Sequence, residues 1–126
     1  MKFLSNIIII NGIYDILCAI SILKIVNIPV IKDLHLSMLR DNEKNNPMME
    51  RFMGYWIFTY GILRIYSGYN KKYELAAISY YIEAVIISNE YFINRTMVME
   101  RSMFVIFFSL FLGILCEFSQ NIEFIF

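Results

Sequence analysis

The sequence predicts an all-α integral membrane protein, a four-helix bundle of up-down topology, and three observations carry that reading. Of its 126 residues 59% are hydrophobic and the mean hydropathy is +0.57, more apolar than an ordinary soluble domain, of which about half is apolar. Four segments, roughly 3–26, 48–68, 72–93 and 97–118, reach the about 20 mostly apolar residues that a spanning helix needs. The last two links between them are very short, which forces neighbouring helices to run antiparallel. Together they make one domain over residues 1–126, without a repeat or low-complexity tract.

The first segment begins MKFLSNIIIINGIYDILC. A lysine before an isoleucine block resembles a leader peptide, but Asn11 and Asp15 interrupt the apolar run and no small-x-small cleavage site follows. A retained first spanning helix is the better expectation. The connector 27–47 opens with Pro29 and closes with RDNEKNNP. Its middle places Val30, Ile31, Leu34 and Met38 on one helical face, which predicts a short helix lying in the membrane interface. Leu34 and Met38 are the candidate partner-docking residues on that face.

The second segment, ERFMGYWIFTYGILRIYSG, carries Arg64 inside its apolar run. The links YNKKY and NRT then bound the third segment. On the fourth, Ser109 and Gly113 form a small-xxx-small pair, which marks either a face for a second copy, hence a homo-oligomer, or tight internal packing.

Lysine and arginine near the span ends set orientation. Lys24, Lys32, Arg40, Lys44, Arg51, Arg95 and Arg101 fall on the connector side, against Lys2, Lys71 and Lys72 opposite. The connector side is therefore predicted to be cytosolic and both termini non-cytosolic. Asn94 opens a formal glycosylation acceptor, but on the cytosolic side. A formal net charge of zero argues against a nucleic-acid surface, which needs a basic stripe. Cys18 and Cys116 lie in apolar runs as packing residues, and the lone His35 has no companions at metal-ligand spacing. No nucleophile with its base and no phosphate-cradling loop is evident, so neither an enzyme nor a cofactor or metal site is expected.

A charge at the centre of a spanning helix costs about 2.5–3.5 kcal/mol on insertion scales, so Asp15, Arg64 and Glu83 should point inward. With about 1.5 Å rise per residue, Asp15 and Glu83 come out at similar depth, and Arg64 roughly 8–9 Å nearer the non-cytosolic face, within side-chain reach. The same arithmetic pairs Arg51 with Glu90. Glu83 and Glu90 share a stripe with Ala76, Tyr80 and Ile87. Asn11, Asp15 and Cys18 share a face of the first helix, as do Trp56, Tyr60 and Arg64 on the second. The opposite side of the second helix carries Gly54, Phe58 and Gly61, where small residues permit close approach. These polar groups form either a register-fixing clasp or the lining of a ligand site.

ERFMGYWIFTYGILR, a short polar loop, Tyr73 and SNEYFINRT together resemble helices two and three of the ergosterol biosynthetic protein 28 family. The matching positions are Arg51, Gly54, Trp56, Arg64, Tyr73 and Glu90. The chain departs from the family pattern at Ile86, where a histidine is usual, and in a shorter loop before the third helix. Bacterial DoxX-like four-span proteins share a similar RxxG helix pattern and form the wider likeness. The resemblance implies a non-catalytic scaffold that gathers membrane-bound sterol C4-demethylation enzymes on the endoplasmic reticulum. The competing expectation is a bundle that binds a membrane lipid or sterol between helices one, two and three, with Arg64 at one end of the pocket and Trp56 and Tyr60 as walls.

Overall fold

A computed structural model of the chain describes residues 2–26, 39 and 47–125. Among these residues four α-helices follow one another: α1 Lys2–Ile22, α2 Pro47–Tyr69, α3 Tyr73–Ser88 and α4 Met99–Ile125. A π-helical segment, Asn89–Asn94, continues α3. The expected interfacial helix and its Leu34 and Met38 lie outside the described residues.

The helix ends differ from the expected boundaries for identifiable reasons. α1 stops at Ile22, short of residue 26, because Lys24 turns left-handed with φ 63°. The Ile25 N–H then bonds to the Ile20 carbonyl at 3.0 Å and the Lys24 N–H to that of Ser21 at 3.1 Å, the paired bonds of a Schellman ending. α2 begins on Pro47, where a missing N–H costs nothing. It ends on a second such motif, with Lys71 at φ 56° and the Lys72 N–H bonded to the Ser67 carbonyl at 2.9 Å. α4 runs on to Ile125, past the expected end at 118, because no proline or glycine interrupts EFSQNIEFI.

α1 packs most closely on α2, and α3 on α4, with a lesser contact between α2 and α3. Glycine makes the first pairing close. Gly54, Gly61 and Gly68, seven residues apart, lie on one stripe of α2. A Cβ at Gly61 would stand 2.6 Å from Ile16 Cγ1 and 2.9 Å from the Gly12 carbonyl oxygen, so backbone lies against backbone. Phe58, expected beside these glycines, is exposed. On α4, a Cβ at Gly113 would meet the Tyr81 ring at 2.7 Å and Ser109 is buried, so this small pair serves internal packing.

Two apolar cores occupy the two ends of the bundle. At the end holding the start of α1, Leu4 and Ile8 pack with Tyr73, Ala76, Tyr80 and Leu112. At the opposite end, Cys18, Ile22, Met53, Ile57 and Ile106 pack with Leu39 and Met97. Leu39, which belongs to the connector, forms an antiparallel bridge with Met97 and is 1% exposed. Leu39 thereby lies against the turn that precedes α4.

The exterior is apolar on every helix. Ile10 of α1, Ile62 of α2, Val85 of α3 and Phe107 of α4 all stand exposed. Two helical stretches, Phe3–Ile22 and Met99–Ser119, are long and apolar enough to cross a membrane. Apolar surface outside and charge inside is the arrangement a bilayer solvent favours.

Candidate functional site

Between the two apolar cores lies a charged layer built from three helices. Arg64 of α2 is 2% exposed. Its Nη1 donates to Asp15 Oδ2 of α1 at 2.6 Å, and its Nη2 donates to Glu83 Oε2 of α3. Its Nε donates to Ser79 Oγ at 3.3 Å, while the Ser79 hydroxyl donates to the Ala76 carbonyl at 2.7 Å. The planar guanidinium suits this task, because its donors leave in fixed, divergent directions and reach two carboxylates at once.

Two aromatic rings lie against the cation. The guanidinium carbon lies 4.0 Å from the Tyr80 ring centroid and 4.9 Å from that of Tyr60, inside cation–π range. The Tyr80 hydroxyl donates to Asn11 Oδ1 at 2.7 Å, which adds a second polar link between α1 and α3. Trp56 extends the aromatic row, its ring centroid 5.3 Å from that of Tyr60. Among the described residues the Tyr60 hydroxyl is buried without a hydrogen-bond partner.

Of the residues expected to act here, Asn11, Asp15, Trp56, Tyr60, Arg64 and Glu83 are brought together. Arg51 and Glu90 are not. Arg51 is exposed near the start of α2, and Glu90 instead accepts from the Thr96 hydroxyl at 2.6 Å and from Asn94 Nδ2 at 3.1 Å. The wider turn of the π-helical segment explains the difference, since it breaks the helical period that would have stacked Glu90 under Glu83. Sequence reasoning missed Ser79 as a partner of Arg64. Tyr80 was legible only as a neighbour of Glu83 on the same stripe, not as a cation face.

Two cavities flank the charged layer. The larger, of about 490 Å³, opens between α1, α3 and α4. Asn11, Asp15, Arg64 and Glu83 form its polar end, Phe104, Val105 and Phe108 its apolar wall, and Glu100 and Arg101 its rim. The space expected between α1, α2 and α3, walled by Trp56 and Tyr60, measures only about 40 Å³. The glycine contact between α1 and α2 closes that side, so the room lies on the α4 side. The two cavities share Asp15, Arg64, Glu83 and Val105 as lining.

The arrangement can lock three helices in register, and it can accept a hydrogen bond from a group entering the larger cavity. Among known families, the sequence model described as Erg28 like protein matches residues 4–114 of the chain. Comparison with curated proteins and with solved structures finds no match.

Proposed function

Since the chain belongs to the Erg28-like family, we propose that it is a non-catalytic, multi-pass scaffold that holds sterol C4-demethylation enzymes together on the endoplasmic-reticulum membrane. The family match, which extends over residues 4–114, is the observation that carries this reading. It implies a membrane protein of sterol biosynthesis; the tether role, the four spans and the cytosolic connector are the finer parts of the proposal.

The physical mechanism is proximity. Two enzymes bound to one small bundle meet at an effective concentration set by the tether and not by their dilution in the membrane, and no new active site is needed. A scaffold of this kind must keep one shape while partners come and go. The charge clasp of Asp15, Arg64 and Glu83 supports that requirement, because its groups are directed at one another across three helices. The apolar outer faces of α3 and α4, with Val85, Phe107 and Phe111 exposed, offer surface for membrane-embedded partners as well as for lipid. Leu34 and Met38, outside the described residues, are the docking residues of this proposal.

Co-purification tests the proposal. The chain is expressed with an affinity tag in a sterol-synthesising host that lacks its own member of the family, and the C4-demethylation enzymes are assayed in the mild-detergent eluate. Their recovery together, reduced by Leu34→Asp with Met38→Asp, is the expected result. Elution of the enzymes apart from a folded, membrane-inserted chain would overturn it.

A further inference from the structure

We propose that the cavity between α1, α3 and α4 is a binding site for one membrane amphiphile whose head donates a hydrogen bond and carries no negative charge. The inference stands on the cavity alone and does not depend on the scaffold role.

The site has the polarity of such a molecule. Its volume of about 490 Å³ falls in the range of small-molecule pockets, roughly 300–1,000 Å³. One end is charged and the wall is apolar. Phe104 and Phe108 stack at 5.7 Å between centroids with 11° between their planes, and both line the cavity as an aromatic wall. Phe104 lines the cavity and is also 68% exposed, so the mouth faces the outside of the bundle, where lipid lies. Entry is sideways from the bilayer.

Charge decides which head fits. The ionisable groups lining the cavity include three carboxyls, Asp15, Glu83 and Glu100, and two cations, Arg64 and Arg101. Arg64 engages one oxygen of each buried carboxylate, Oδ2 of Asp15 and Oε2 of Glu83. The Glu83 side chain remains 20% exposed, against 7% for Asp15, so Glu83 is the acceptor a ligand can reach. A hydroxyl or an ammonium head donates to it; a fatty-acid carboxylate would add a further negative charge in a low-dielectric site.

The two sources of a donor head, neutral hydroxyl and cationic amine, are separated by the test. The full chain in phosphatidylcholine nanodiscs is irradiated with three probes of matched bulk: a photoreactive sterol with a free hydroxyl, a photoreactive long-chain amine, and a photoreactive fatty acid. Saturable cross-links from the sterol or the amine, mapped to residues 104–109 and absent with the fatty acid, support the site and identify the source. Glu83→Gln should weaken capture by about tenfold, the loss of one charge-assisted hydrogen bond. Val105→Trp adds bulk to the apolar wall of the cavity and should remove labelling at 104–109 while elution and helicity stay unchanged. The mapped positions in the unaltered chain need no variant to be read. Equal labelling by all three probes, labelling spread over the lipid-facing surface, or labelling of 104–109 that survives Val105→Trp in a folded protein would overturn the proposal.

Discussion

Arg64 of α2 and Asp15 of α1 meet at 2.6 Å with side chains 3% and 7% exposed. They do so at the level where the apolar core at one end of the bundle gives way to the core at the other. A single cation there serves carboxylates on two further helices, which makes Arg64 the keystone of the fold as well as the floor of the larger cavity.

Arg64→Met should therefore cost about 3–5 kcal/mol, because removing one partner of a buried ion pair leaves charge uncompensated. Arg64→Lys should recover only part of this, since an ammonium lacks the fork that reaches both carboxylates. Reversible unfolding in mixed micelles measures both. In a double-mutant cycle with Glu83→Leu, a coupling of about 0.5–3 kcal/mol is expected, and additive effects would contradict direct pairing.

The glycines of α2 predict a contrast in how well added bulk is tolerated. Gly61→Val forces side-chain atoms into Ile16 and the Gly12 backbone, and overpacking of this kind costs about 1–3 kcal/mol. Gly113→Ala meets only the edge of the Tyr81 ring, on a residue of intermediate exposure that can tilt away. Its unfolding midpoint should lie much closer to that of the unaltered chain.

Lys71 closes α2 in the left-handed region, at φ 56°, where a Cβ is unfavourable by about 1–2 kcal/mol. Lys71→Gly should raise stability by up to about 1 kcal/mol, offset in part by the greater freedom of glycine in the unfolded chain. Chemical unfolding measures the change, and a lower midpoint for the glycine variant would contradict this account of the helix end.

Much of the charged layer was legible in the sequence, because an ionisable residue in an apolar run has few places to go. Asp15, Arg64 and Glu83 announce themselves by that cost, and Gly54 and Gly61 announce a close helix pair. The cavity was less legible. Depth follows from counting residues along a helix, but the direction a side chain takes around the helix axis depends on neighbours that sequence spacing does not specify. Counting residues puts Arg51 and Glu90 at one depth, yet they do not meet, since the π-helical segment at Asn89–Asn94 leaves Glu90 bonded to Thr96. The wall supplied by Phe104, Val105 and Phe108 carries no polar marker, and between Arg101 and Glu117 only Ser102, Ser109 and Gly113 interrupt large apolar residues and Cys116. Ser79 likewise gives no signal beyond being a serine in a helix.

The measurement that tests the central claim most directly is the sterol profile of a host lacking its own protein of this family, compared with and without this chain expressed and confirmed in the membrane. A scaffold restores flux, so the C4-methylated intermediates should fall in cells expressing the chain and stay high with Arg64→Met. Persistence of those intermediates at full membrane expression of the unaltered, folded chain would contradict the account.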